Sequence, residues 1–191
     1  MRYYKIKSYA KINISLGILD KFKTKLHKIE SLFSFIDLHD EIFIKKINDT
    51  SHKIIFYGKF SKGITKNNTI SNLLKIIEKK LSNQKYLIKI NKKIPQKSGM
   101  GGGSMNAASL LKYLIKNEKL NLSQQEVFKI SSKIGSDVII GMQKKTSILY
   151  GNGKVGYLNN KKNLTFLYID LVEQPKLGFT NNVYKFTLLL K

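Results

Sequence analysis

The chain has 191 residues, 42% of them apolar, with 35 Lys+Arg against 12 Asp+Glu, a formal net charge of +23 and no cysteine. That length suffices for one domain with a real core, or one domain plus part of another. The lack of cysteine excludes disulfides and thiolate metal sites, and no run of about 18 apolar residues offers a membrane span.

The charge invites a nucleic-acid partner. Arg2 is the only arginine, however, and phosphate and guanine recognition draws heavily on arginine's bidentate fork. Lysine, isoleucine and asparagine abound along the whole chain, and all three have A/T-rich codons. Compositional drift accounts for them, so no nucleic-acid partner is expected. The opening "MRYYKIKSYAKINISL" has no signal-peptide apolar core, and a bacterial cytoplasmic location is the expectation.

Residues 3–19 alternate, with Ala10, Ile12, Ile14, Leu16 and Ile18 on one face, the period of a half-buried strand. "SLFSFID" (31–37), "EIFIKKI" (41–47) and "HKIIFYG" (52–58) read as further strands joined by short turns, which predicts a mainly antiparallel sheet. Residues 69–81 have helical spacing at Ile70, Leu73, Leu74, Ile77 and Leu81, with Thr69 as the expected N-cap. "YLIKINKKI" is another strand. A helix is expected over about 104–117, with Ala107, Ala108, Leu111, Leu114 and Ile115 on one side. A second should open at Ser123, with Glu126 at capping-box spacing, and close at Gly135. "TSILYGNG" and "NLTFLYIDLV" read as strands, and the last segment, "NNVYKFTLLLK", as a helix. The fold class is α+β, without repeats or linkers.

Between the strand ending near Ile94 and the helix expected from Ser104 lie four glycines, Gly99 and Gly101 to Gly103. Glycine within structure costs about 0.5–1 kcal/mol against alanine, so the cluster needs a packing reason or a ligand. It is no Walker A loop, since G-x-x-x-x-G-K-[ST] is absent, and its position does not suit a protein-kinase loop. Gly99-Met100-Gly101-Gly102-Gly103-Ser104 is one residue short of G-x-G-x-x-G, but an antiparallel sheet denies it the Rossmann context. What remains is strand, loop and helix, with bare amides at a helix N-terminus, an arrangement that binds anions. Close helix–strand packing is the competing explanation. Ser104 is either the N-cap or a group that touches phosphate or a metal ion.

The segment "P-x4-M-G-G-G-S-x-N-A-A" from Pro95 to Ala108 resembles the ATP-binding loop of the GHMP small-molecule kinases. Further stretches agree in the family's order: "SYAKINISLGIL" (8–19), "LHKIESLFSFIDLHDEI" (26–42), "KIGSDV" (133–138) and "GFTNNVY" (178–184). Within that superfamily the similarity is greatest to the branch that phosphorylates a cytidyl-diphospho methylerythritol in isoprenoid synthesis. The resemblance implies the GHMP kinase fold. Residues 1–158 would form the N-terminal, ribosomal-protein-like, ATP-binding domain, with a largely antiparallel sheet and helices. Residues 159–191 would begin a second α+β domain.

The resemblance also implies roles. Gln96, Lys97, Ser98, Gly99, Met100, Gly101, Gly102, Gly103, Ser104, Met105 and Asn106 would hold ATP. Ser104 would be the metal contact, through Mg2+ bound with the nucleotide. Asp137 would take the proton from the substrate hydroxyl, Lys11 would pair with it, and Asn13, His27 and Thr180 would orient substrate. Leu26 stands where the family usually has a tyrosine, Met105 where it has a second small hydroxyl residue, and Ile139 where it has proline. The family's closing "TGxGxxxF" motif is not found after "YKFTLLLK", so the second domain reads as incomplete. A monomer or weak homodimer is expected. The alternatives are another GHMP kinase, a basic RNA-binding domain of related fold, or an inactive remnant.

Overall fold

The computed structural model describes residues 2–21, 27–143, 147–149, 155–157, 165–171 and 184–189. They belong to two compact units, each drawn from separate stretches of chain. The first takes residues 1–11, 36–96 and 101–144, and the second takes 12–35, 97–100 and 145–191. Two long strands, β1 (Tyr4–Lys21) and β2 (His27–Ile47), contribute to both.

In the first unit, β2 pairs antiparallel with β4 (Lys85–Asn91), Glu41 facing Asn91 and Ile47 facing Lys85. β3 (Lys53–Tyr57) lies on the other side of β4, and β1 also pairs with β2. β3 runs parallel to β4, Lys53 opposite Leu87, which departs from the antiparallel reading of this stretch. The reason is the connection: β3 returns to the sheet through a helix, α1 (Thr69–Ile77), and a helical crossover brings the next strand back in the same direction.

Strand β4 alternates strictly, with Tyr86, Ile88 and Ile90 fully buried and their neighbours half-exposed. That inner face, with Ile42 and Ile44 of β2, packs against Ile70, Leu73, Leu74 and Ile77 of α1. Ala107, Leu110, Leu111 and Leu114 of α2 (Gly102–Asn117) complete the core. α3 (Gln124–Ile134) and α4 (Ser136–Gly141) follow.

Several sequence expectations are corrected here. Residues 31–37 and 41–47 are one strand rather than two, because Asp40 directs its carboxylate to other parts of the chain instead of forming a turn. The cap of α1 is Asn68, whose side chain accepts from the amides of Ile70 and Ser71 while Ser71 Oγ accepts from Asn68 N. Thr69 is the first helical residue instead. The Ser123–Glu126 capping box and the close at Gly135 hold as read.

In the second unit, β2 pairs antiparallel through Ser31–Phe33 with β5 (Ser147–Leu149), and β5 pairs with β6 (Val155–Tyr157). A separate antiparallel pair joins β7 (Thr165–Leu171) to β8 (Tyr184–Leu189). β8 overturns the expected terminal helix. "YKFTLL" is rich in aromatic and β-branched residues, and pairing with β7 decides in favour of a strand. Among the described residues no helix is long and apolar enough to cross a membrane.

Candidate active site

Strand periodicity puts Lys11 on β1 between Ala10 and Ile12, and all three are buried. An ammonium so far removed from water needs an anionic neighbour, and Asp137 provides one: Lys11 Nζ stands 3.4 Å from Asp137 Oδ2. Asp137 lies in the first turn of α4, with a third of its side chain exposed. One partner is sequestered and the other faces solvent.

The glycine segment meets this pair at Gly101. Its φ is +67°, a left-handed conformation that costs a side-chain-bearing residue roughly 1–2 kcal/mol. A Cβ there would stand 3.1 Å from Lys11 Cγ and 3.4 Å from Asp137 Oδ2. Gly101 is also the N-cap of α2 and has no side chain to cap it. The first N–H groups of any helix lack intrahelical partners, and α2 begins with two further bare residues, Gly102 and Gly103. At Gly102 a Cβ would lie 3.1 Å from Ile94 Cγ2 and 3.3 Å from Lys92 Nζ. Gly103 is exposed, and its carbonyl accepts from Thr69 Oγ1 at 2.7 Å. Ser104, in the first turn of α2, lies 3.6 Å from where a Cβ on Gly135 would be, so the start of α4 is carried close to the start of α2. The uncapped glycine turn fits a polyphosphate. For a metal ion, the described residues hold no group of three or more His, Cys, Asp or Glu, so Mg2+ would depend on nucleotide oxygens together with Ser104.

Other expected site residues are placed differently. The α2 cap is Gly101, so Ser104 is not the N-cap, and the helix opens at Gly102 instead of Ser104. Met105 and Asn106 turn inward, 2% and 1% exposed. Met105 packs where α4 crosses α2, and Asn106 Nδ2 donates to Asp40 Oδ2 at 3.0 Å. Their side chains therefore pack in the interior. Gln96 Nε2 donates to the carbonyls of Phe60 and Lys62, at 2.8 and 2.7 Å, and so ties down a neighbouring turn.

Lys97 to Met100 belong to the second unit, as does Asn13. There Lys97 and Gly99 have φ of +55° and +73°, and Ser98 Oγ accepts from Met100 N at 3.4 Å. Ser98 and Met100 are buried. Asn13 Oδ1 accepts from Ser31 Oγ at 3.3 Å. His27 opens β2, and its side chain lies outside the described residues, as do Leu26 and Thr180.

Sequence reasoning missed Asp40 and Lys92. Both are buried and form an ion pair. The only hint was an aspartate within an otherwise strand-like run.

Residues 68–151 match the family model of the GHMP kinases N terminal domain. A 4-diphosphocytidyl-2-C-methyl-D-erythritol kinase of Pelagibacter ubique (strain HTCC1062) is 52% identical over 180 residues, which is 93% of this chain and 62% of that protein. A protein of the same name from Petrotoga mobilis (strain DSM 10674 / SJ95) is 35% identical over 153 residues, 78% of this chain and 57% of that one. The chain thus spans about three-fifths of the length of these relatives. The crystal structure of a 4-(cytidine 5'-diphospho)-2C-methyl-D-erythritol kinase superposes with a TM-score of 0.68 at 21% identity, over 81% of this chain and 55% of that one. A mevalonate pyrophosphate decarboxylase from Streptococcus pyogenes gives 0.64 at 16%, over 92% and 56%. Similarity at those identities speaks for the fold alone. Taken with the relative that is 52% identical across nearly the whole chain, it identifies residues 68–151 as a GHMP kinases N terminal domain, in a chain similar to those kinases.

Proposed function

We propose that this chain carries the nucleotide-binding and proton-transfer parts of a small-molecule kinase that phosphorylates the 2-hydroxyl of 4-diphosphocytidyl-2-C-methyl-D-erythritol, with ATP and Mg2+, in the bacterial cytoplasm. The observation that carries the reading is the meeting of Lys11 with Asp137 at 3.4 Å, beside the bare α-carbon of Gly101. Three remote parts of the sequence converge there on one point.

The proposed chemistry follows from what those groups do. Phosphoryl transfer is mainly a matter of positioning and of charge stabilisation. The α2 amides from Gly102 onward hold the terminal phosphates, and Ser104 touches them or the accompanying Mg2+, which neutralises phosphate charge. Asp137 accepts the hydroxyl proton as the acceptor oxygen bonds to the γ-phosphorus and the link to the β-phosphate breaks. Lys11 orients Asp137 and stabilises the developing alkoxide. Asn13, His27 and Thr180 bind the substrate, and residues 96–100 take part in the nucleotide loop. The 1–158 and 159–191 domain division, and a monomeric or weakly dimeric state, belong to the same proposal. The name shared by the relatives supports this substrate over those of other GHMP kinases, and over an RNA-binding role or an inactive remnant.

A phosphoryl-transfer assay with ATP, Mg2+ and this substrate tests the reading. Loss of a general base costs about 100- to 10,000-fold, so Asp137→Asn should fall by that much with its fold intact. Equal rates for Asp137→Asn and wild type would remove Asp137 from the role.

A further inference from the structure

The glycine segment must be held in place as well as kept bare. Its two ends converge on one buried carboxylate. Asp40 Oδ1 accepts from the amides of Lys93 at 2.7 Å and Ile94 at 2.9 Å, at the entry to the segment. Asp40 Oδ2 accepts from Asn106 Nδ2 at 3.0 Å, at its exit on α2, and from Lys92 Nζ. Asp40 is fully buried, Lys92 is 3% exposed and Asn106 1%. The Lys92 ammonium also lies 3.3 Å from where a Gly102 Cβ would be, against the first residue of α2.

We infer that Asp40 and Lys92 are positioning residues for the nucleotide loop: one carboxylate pins entry and exit to a single point, and its counter-ion fills the space left by the missing side chain of Gly102. The inference rests on the proposed kinase reading for what the loop binds, but not for how the loop is held. Stability is a poor explanation of the pair. A buried ion pair is often matched or bettered by uncharged residues of similar volume, whereas loss of one partner alone is severely damaging. Position is the better explanation. Four donors from two chain segments meet at one rigid acceptor, and phosphate recognition depends on where the amides of Gly102 to Ser104 sit. A displacement of about 1 Å in such a site costs on the order of 100-fold.

The double variant Asp40→Asn/Lys92→Met separates the two explanations. It removes both charges together. The amide oxygen introduced at position 40 can still accept from Lys93 and Ile94. Asn106 Oδ1 is buried without a hydrogen-bond partner, so turning the Asn106 amide over would let it accept from the new amide nitrogen. The full chain should keep its melting temperature within about 4 °C. Amide hydrogen exchange should nevertheless quicken over residues 101–106 while α3 is unchanged, and affinity for a non-hydrolysable ATP analogue with Mg2+ should fall by about 100-fold. Unchanged exchange over 101–106, or faster exchange with unaltered nucleotide affinity, would overturn the inference. If the wild-type chain binds no nucleotide, the kinase reading fails, and the exchange pattern alone decides whether Asp40 and Lys92 hold the segment. Exchange that rises equally in α3 would mean ordinary destabilisation and would also overturn it.

Discussion

Substituting Gly101 by alanine tests the site at the point where its parts touch, and Gly63 supplies the control. Both glycines have a left-handed backbone, φ +67° at Gly101 and +84° at Gly63. Alanine in that conformation costs roughly 1–2 kcal/mol, partly offset by about 0.4–1 kcal/mol of reduced freedom in the unfolded chain. Nothing lies within 4 Å of a Cβ on Gly63, so Gly63→Ala isolates this strain. At Gly101 the new Cβ lies 3.1 Å from Lys11 Cγ and 3.5 Å from Lys11 Cε. Lys11 is 5% exposed and cannot swing away into solvent. Overpacking of this kind adds about 1–3 kcal/mol. At about 2–4 °C per kcal/mol for a chain of this size, Gly63→Ala should lower the melting temperature by only a few degrees and Gly101→Ala by roughly 10 °C. The few tenths of an ångström that Lys11 must yield also disturb its pairing with Asp137. Phosphoryl transfer should therefore drop on the order of 100-fold in Gly101→Ala and stay near wild type in Gly63→Ala. Equal melting shifts in the two variants, or full activity in Gly101→Ala, would refute the claim that the loop is glycine there because Lys11 and Asp137 occupy the space.

Three other predictions concern its surroundings. Gly103→Ala should raise stability by about 0.5–1 kcal/mol, since it replaces glycine within a helix and its Cβ meets only Thr69, at 3.4 Å. The same change should weaken ATP binding, and calorimetry of both quantities checks it. Gly141→Ala should destabilise by about 1–3 kcal/mol, because its Cβ would stand 2.5 Å from Ala108 Cβ and 3.1 Å from Met105 Cε, where α4 crosses α2; chemical denaturation measures it. His52 stacks on Tyr86, its Nδ1 accepts from Tyr86 N at 3.2 Å, and burial, reinforced by the nearby charge of Lys85, lowers its pKa below the ordinary 6.5. The unfolded chain therefore binds more protons than the folded one just below pH 6.5. The stabilisation is fully present above that pH and is lost as pH falls through the window beneath it. Melting curves from pH 7.5 to 5 should show a smaller decline for His52→Asn than for wild type, and parallel declines would refute the assignment.

Legibility followed the physics of each element. The strand at β1 and the capping box at Ser123 and Glu126 rest on local signals, and both elements form as read. Helix α4 has six residues, too few for a period to emerge, so "SDVIIG" carries no helical signal of its own. Thr69 and Asn68 are both good capping residues, and only the hydrogen bonds decide between them: Asn68 caps α1 while Thr69 reaches Gly103 O. The pairing of Lys11 with Asp137 was not readable from spacing, because lysine is too common in this chain for one to stand out. It came from resemblance to a family. Asp40 escaped notice because its four donors, from Lys92, Lys93, Ile94 and Asn106, are remote in sequence.

Why this chain leaves so much backbone bare has a different answer at each residue of α2's start. Gly101 is filled from within by Lys11 and Asp137, and Gly102 by Ile94 and Lys92. Packing alone would keep those two as glycine in a protein that bound nothing. Gly103 has no such reason. It is exposed, it sits inside a helix where alanine is better by about 0.5–1 kcal/mol, and a Cβ there would meet Thr69 at an ordinary contact distance. A demand for a missing side chain at Gly103 would therefore have to come from outside the fold. A ligand that approaches the first amides of α2 more closely than a methyl group allows would impose it, and terminal phosphates approach helix amides in that way. Of the glycines that open α2, Gly103 alone separates a phosphate loop from a tightly packed turn, and its alanine variant is where the two accounts predict opposite results for binding.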